Sequence, residues 1–281
     1  MVFYSLFWSR DTNSYLTMKR LLILLPLFLA FATVNAQDNT EGEIIYDQVI
    51  TLNFDKSKMP PEAQQWIEAM PKEIKDQKQL VFNSTSSVYK NYENPEEDAA
   101  AEEGGMTVMI RRNMPDDFTA VNLKEGTYAD QKEVFGRIFL IKDELKDYQW
   151  KMTGEQEEIA GYHCMVATTV DPEDSMEVKA WFTPQIPVAG GPGAISNLPG
   201  MVMQMELTGG QLRRGPGNSV ITLTASNVDF RKVKKSELKG PEKGKEVTRD
   251  EFMKIVKEKM EEMREQMGNR RGGGHMRVIT N

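Results

Sequence analysis

The sequence contains one cysteine, Cys164, and two histidines, His163 and His275. A single cysteine excludes an intramolecular disulfide framework. Two histidines exclude a multi-histidine metal centre. No G-x-S-x-G elbow, H-E-x-x-H pair, P-loop or G-x-G-x-x-G follows a strand-like segment, so the familiar nucleophile, zinc-protease and nucleotide signatures are missing. Basic residues are outnumbered, 35 Lys and Arg against 42 Asp and Glu, for a net charge of −7. That balance argues against nucleic acid or anionic head groups as partners, because both need a basic footprint. The many carboxylates single out no catalytic pair. The chain is read as non-enzymatic, with no cofactor.

Long apolar runs are absent too, apart from Leu21–Phe31. That run is about 11 residues, against the roughly 20 a membrane span needs. Lys19-Arg20 precede it, and Val34-Asn35-Ala36 then Gln37 follow. A charged opening, a short apolar run and a small-x-small site make a secretory signal peptide. Met18 is the better start, so residues 1–36 are expected to be an N-terminal extension plus signal. Their removal takes away Arg10, Lys19, Arg20 and Asp11 and leaves a net charge of about −9. Lipid attachment requires a cysteine at the cleavage point, and Cys164 lies far downstream. The expectation is a protein secreted across the inner membrane, periplasmic or outer-membrane-associated, not a lipoprotein, with no span left after cleavage.

What remains reads as antiparallel β over 37–231. Strands are expected at Glu43–Phe54, Lys78–Tyr92, Met106–Arg112, Phe118–Leu123, Thr127–Val134, Gly136–Lys142, Tyr148–Thr153, Tyr162–Val170, Glu177–Thr183, Met201–Leu207 and Ser219–Val233. A short helix is expected at Pro61–Met70, with Trp66, Ile67 and Met70 on its apolar side. Asn94–Gly105 is acidic and reads as a solvated loop. Asp171-Pro172 opens a hairpin turn. Residues 232–247 read as a linker. Thr248 and Glu251 form a capping box, with Val247 and Phe252 placed for a hydrophobic staple. The helix they open, 248–268, carries a narrow seam of Met253, Val256, Met260, Met263 and Met267. A Gly-rich tail, 269–281, holds a strand-like Met276–Thr280, read as adding to a sheet edge, its own or a partner's, or as a frayed end. About eleven strands with one or two helices predict a mainly β (α+β) fold: a strongly curved antiparallel sheet or open half-barrel.

The densest signal is Trp181–Leu207, reading WFTPQIPVAGGPGAISNLPGMVMQMEL. Its prolines fix φ and its glycines supply φ > 0, so the loop has a defined path. Trp181, Phe182, Pro184, Pro187, Pro192, Asn197, Leu198, Pro199, Gly200, Met201 and Val202 resemble the signature of the GLPGLI family, secreted proteins of Gram-negative bacteria. Here Asn197-Leu198-Pro199-Gly200-Met201-Val202 stands for Gly-Leu-Pro-Gly-Leu-Ile, and asparagine is the best non-glycine occupant of the left-handed region. Gly161-Tyr162-His163-Cys164 and Lys243–Thr248 also look familial. The resemblance implies an envelope location and no settled activity. Family members are often encoded near outer-membrane transporters, which implies a protein partner.

Alternation places Tyr162, Cys164 and Val166 on one strand face and His163 on the other, so Cys164 is expected to be a small buried hydrophobe. Trp181 shares a face with Lys179 and Thr183, and Met201, Met203 and Met205 align together by the same rule. Trp181, Met201, Met203 and Met205 therefore form the candidate ligand face. Three readings follow. The leading one is a non-catalytic envelope protein binding an envelope or outer-membrane protein partner, or an apolar small molecule, through the loop and this face. An alternative is a periplasmic lipid or lipoprotein carrier, by architectural resemblance to LolA, which requires a cavity lined by Trp181. A lower one is Cu(I) handling, which requires Met201, Met203 and Met205 exposed and converging.

Overall fold

The computed structural model describes residues 39–54, 57, 60–68, 70–93, 118–171, 175–209 and 219–272. The expected signal peptide, the acidic loop, the strand at 106–112 and residues 273–281 lie outside them, as do the side chains of Trp66 and Met267. Among the described residues twelve strands run in chain order: β1 Gly42–Thr51, β2 Glu73–Phe82, β3 Ser86–Asn91, β4 Phe118–Asn122, β5 Thr127–Val134, β6 Arg137–Glu144, β7 Lys151–Ile159, β8 Tyr162–Val170, β9 Met176–Thr183, β10 Met201–Gly209, β11 Val220–Asp229 and β12 Lys245–Val247. Helix α1 spans Pro61–Glu68 and α2 spans Arg249–Gly272.

All twelve strands form one sheet, ordered β12-β6-β5-β4-β3-β2-β1-β11-β10-β9-β8-β7. The mainly β architecture is as expected; the strong curvature is not. The sheet is open and not strongly curled, so it makes no half-barrel. Its terminal strands β12 and β7 stand at opposite edges, eleven positions apart in the order. Closure would need those edges to pair.

Most strand limits follow the alternation, and the departures have local causes. Lys78–Tyr92 is two strands because Asn83 Oδ1 accepts from Thr85 N at 2.9 Å and Ser86 N at 2.8 Å, an Asx turn in mid-segment. Tyr148–Trp150 is not strand: its side chains serve tertiary bonds described below. The charged 154–159 continues β7 instead. Within the expected linker, β12 pairs parallel with β6, Lys245 opposite Phe139 and Val247 opposite Ile141.

Among the described residues two clusters fill the core. The larger one joins β1, β2, β3 and β7–β11 to residues 186–198. The smaller one seats α2 on β4–β6 and β12, through Val121, Tyr128, Phe139, Ile141, Val247, Phe252 and Val256. The capping box is formed: Glu251 N donates to Thr248 Oγ1 at 3.3 Å, and Thr248 N donates to Glu251 Oε2 at 2.9 Å. Val247 and Phe252 are both buried, as a staple requires. Phe252 meets Phe139 edge-to-face at 5.6 Å. Beyond Met260 the helix is exposed through Gln266, and it continues past Gly268 to Gly272. Its packing energy therefore sits in the first three turns.

Truncating Phe252 to Ala should cost about 3 kcal/mol, a transfer plus cavity loss. Thr248→Ala should cost about 1 kcal/mol, one cap. Urea denaturation monitored by circular dichroism measures both, and equal losses would contradict the division between core and cap.

Candidate functional site

Between β9 and β10 the chain leaves the sheet for residues 184–200 and returns in register, with Met201 opposite Thr183 and Val202 opposite Phe182. Residues 186–190 alternate buried and exposed: Ile186 and Val188 point into the core, and Pro187 and Ala189 point to solvent. Further along, Ile195 and Leu198 are buried, while Asn197 and Pro199 are exposed. The loop is thus a strap with an apolar underside and a polar and proline-bearing ridge. Its backbone is bonded to the incoming strand, Met201 N to Ile186 O at 3.2 Å and Val202 N to Gly190 O at 2.9 Å. Inside the core the Tyr46 hydroxyl donates to Val202 O at 2.6 Å. Burial holds that hydroxyl protonated far beyond the ordinary tyrosine range.

Two glycines permit the closure. A Cβ at Gly200, whose φ is +154°, would sit 2.1 Å from the carbonyl oxygen of Thr183. A Cβ at Gly191 would sit 2.7 Å from Cβ of Val202. Asn197 holds φ +66°, the left-handed turn expected of it.

The residues just before β7 fasten the far end of the strap. Trp150 Nε1 donates to Ser196 O at 2.9 Å, Ser196 Oγ to Lys146 O at 2.7 Å, and Asn197 Nδ2 to Asp147 Oδ1 at 2.6 Å. Lys146 Nζ donates to both carboxylate oxygens of Asp171 at 2.9 Å, and the Tyr148 hydroxyl adds a bond at 3.3 Å. Asp171 is 1% exposed, so its charge is buried and matched. It also closes the β8–β9 hairpin, its N–H donating to Met176 O at 2.8 Å. The defined path of the Pro/Gly-rich loop was expected from the sequence; the Ile186/Val188 alternation was not read there. The partners at 146–150 were not expected either, because a stretch of Lys, Asp, Tyr, Gln and Trp reads as half a strand.

The candidate ligand face does not assemble. Trp181 is 6% exposed, in the larger core cluster. Its Nε1 donates to Glu157 Oε2 at 2.9 Å, and Lys179 Nζ, itself bonded to Glu155, lies 4.8 Å from its ring centre. Met201, Met203 and Met205 are 0%, 0% and 4% exposed. A bulge between Val202 and Gln204 sets Met201 opposite Thr183 but Met205 opposite Ala180. Thr183 and Ala180 project to opposite faces of β9, so Met201 and Met205 do as well. The convergent, exposed thioether set that Cu(I) requires is absent there. Open grooves of ≈310 Å³ and ≈520 Å³ lie beside α2 and over β4–β6, and neither borders Trp181 or these methionines.

Cys164 is 1% exposed, with Sγ 3.5 Å from Tyr162 O. Burial pushes its thiol up to about 11, the opposite of an activated nucleophile. His163 is exposed on the other face, as alternation required.

Residues 171–204 match the model of the GLPGLI family of Bacteroidetes proteins, described as "Protein of unknown function (Porph_ging)". The match spans the β8–β9 turn, β9, the strap and the start of β10. No curated protein matches the chain. Two solved structures of PNGF-II are similar at 17% identity, in C2 (TM-score 0.44, 76% of this chain) and P21 (TM-score 0.45, 77%) crystals. The matched region covers 32% and 33% of those chains, about a third of their length.

Replacing Gly200 with Ala should destabilise the fold by at least ~2 kcal/mol, since strain and clash coincide. Gly126, at φ +69° and with no atom within 4 Å of where a Cβ would sit, serves as the control. Its alanine variant should lose only about 1 kcal/mol. Denaturant midpoints decide, and equal losses would show that the strap can shift.

Cys164 should resist alkylation in the native state at pH 8 and react fully in urea. Its raised value also sets a sign: at alkaline pH the native thiol keeps a proton that the unfolded thiol, near 8.5, has released. That contribution to stability is full below the unfolded value and is lost as pH rises through about 11. Cys164→Ala should flatten this part of the stability–pH curve.

Proposed function

We propose that this chain, with its GLPGLI-family segment at 171–204, is a non-catalytic envelope protein that binds a protein partner through the outer ridge of the strap. The observation that carries the reading is the division of labour within 184–200. Ile186, Val188, Ile195 and Leu198 are spent on the core, while Pro184, Gln185, Pro187, Ala189, Asn197 and Pro199 face solvent. Anchors on the underside and ties to Lys146, Asp147 and Trp150 hold that ridge in one conformation. A preordered, proline-rich ridge loses little entropy on docking, so modest contact area suffices for affinity.

The filled core supports a protein partner over an apolar ligand. Trp181 and the three methionines have their surface occupied by neighbouring side chains. The buried Cys164 thiol and the Lys146-matched Asp171 carboxylate support the non-catalytic part. The signal-like residues 1–36 support secretion across the inner membrane, with a periplasmic or outer-membrane-associated destination.

Photo-crosslinking side chains at Pro187 and Pro199, in cells that make the protein natively, should each trap one discrete envelope protein. The same group at Lys124, on an exposed turn, should not. Native mass spectrometry of the protein purified without detergent supplies the opposing outcome. A chloroform-extractable adduct, with no protein trapped from the ridge, would replace this reading with the carrier one.

A further inference from the structure

We propose that the outer edge of β7 takes residues 276–280 of a second copy of this chain as an added strand. β7 ends the sheet, and its only strand partner among the described residues is β8. Lys151 through Glu158 are all exposed, so no described residue covers this edge. On an edge strand, alternate N–H and C=O groups face outward unpaired and template another strand.

The two halves of β7 differ. Pairing with β8 is interrupted between Met152 and Gln156, and Gly154 there has φ +82°. That irregularity bends the first half and blunts it. Gln156–Ile159 is regular, each residue opposite one of Met165, Cys164, His163 and Tyr162. The usable edge is therefore the acidic second half.

Charge then selects the occupant. Glu155 is bonded to Lys179 and Glu157 to Trp181, whereas Glu158, opposite His163 in the strand pair, makes no side-chain bond among the described residues. A second β7 would bring one glutamate row against another, and like charges across a strand pair repel. Residues 270–281 carry Arg270, Arg271 and Arg277 and no acid. Met276–Thr280 supplies Val278, Ile279 and Thr280, residues that favour strands. Added antiparallel, Arg277 can stand opposite Glu158.

Geometry assigns the strand to another copy. α2 starts beside β12 and runs back along β6, where Ile255, Glu258 and Glu262 border Arg137 and Phe139. β7 is the opposite edge, eleven strand spacings away, or about 50 Å. Residues 273–281 reach about 30 Å when extended. The contact is therefore between copies: reciprocal exchange of the two tails closes a dimer, and one-way addition lets copies add in series.

Sedimentation velocity of the purified protein over a concentration series tests this. Dimers or larger species should grow with concentration, and a chain ending at Gly272 should stay monomeric with unchanged thermal unfolding. Glu158→Arg and Arg277→Glu should each weaken association about threefold, and the two together should restore it. Circular dichroism confirms that each variant is folded. A monomer at every concentration, oligomers that survive removal of 273–281, or losses that add instead of compensating would each overturn the proposal.

Discussion

Everything around the signature segment depends on one close approach of backbone to backbone, where Gly200 lies against the carbonyl of Thr183. A side chain at 200 would put its first carbon 2.1 Å from that oxygen. Because the approach is allowed, Met201 regains register with Thr183 after the strap's excursion. That register brings Val202 N to Gly190 O and Val202 O to the Tyr46 hydroxyl, linking strap, β10 and β1 in one core. The residues that make the motif recognisable are thus largely those that let a long loop lie flat on a sheet. Pro199 and Gly200 set the return, Asn197 the left-handed turn, and Leu198, Met201 and Val202 the apolar underside. Their pattern is a packing requirement before it is anything else.

How much of this the sequence disclosed varies with the range of the interaction. The capping box at Thr248 and Glu251 and the staple of Val247 with Phe252 are local, and both are present as read. β5 has the limits its alternation gave, and Asn197 occupies the left-handed region. The misreadings arise where one residue changes the count. The bulge within Val202–Gln204 reverses the faces of everything beyond it, so period-2 reasoning placed Met201 and Met205 together when they lie apart. Asn83 divides one expected strand through a side-chain turn of three residues. The parallel pairing of Lys245–Val247 with β6 spans about a hundred residues of sequence, and no local pattern carries it.

The expected curvature rested on the count of about eleven short strands around one or two helices, and strand number alone does not set how far a sheet bends. Trp181 shares its face with Lys179 and Thr183, an apolar ring among polar neighbours. The structure resolves it with a polar partner: Glu157 takes the indole N–H while Lys179 covers the ring. Tryptophan is amphipathic, and at 6% exposure its one polar atom is satisfied. The sequence shows Glu155 and Glu157 plainly enough, but not that β7 lies two strands from β9 and carries them within reach.

These facts bear on where binding can occur. Trp181 and the three methionines are packed within the core, so the proposed docking uses the surfaces of the sheet and strap. There the molecule presents two contrasting features. The ridge of the strap is anchored from its underside and its exposed residues carry no charge, features suited to the proposed shape-based docking. The β7 edge is charged and rich in unpaired backbone, suited to strand addition under electrostatic selection. In the proposed strand addition, the glutamates that guard this edge against its own kind also select its occupant. The same row that repels a second acidic strand lowers the free energy of a cationic one, so protection and specificity have a single physical origin.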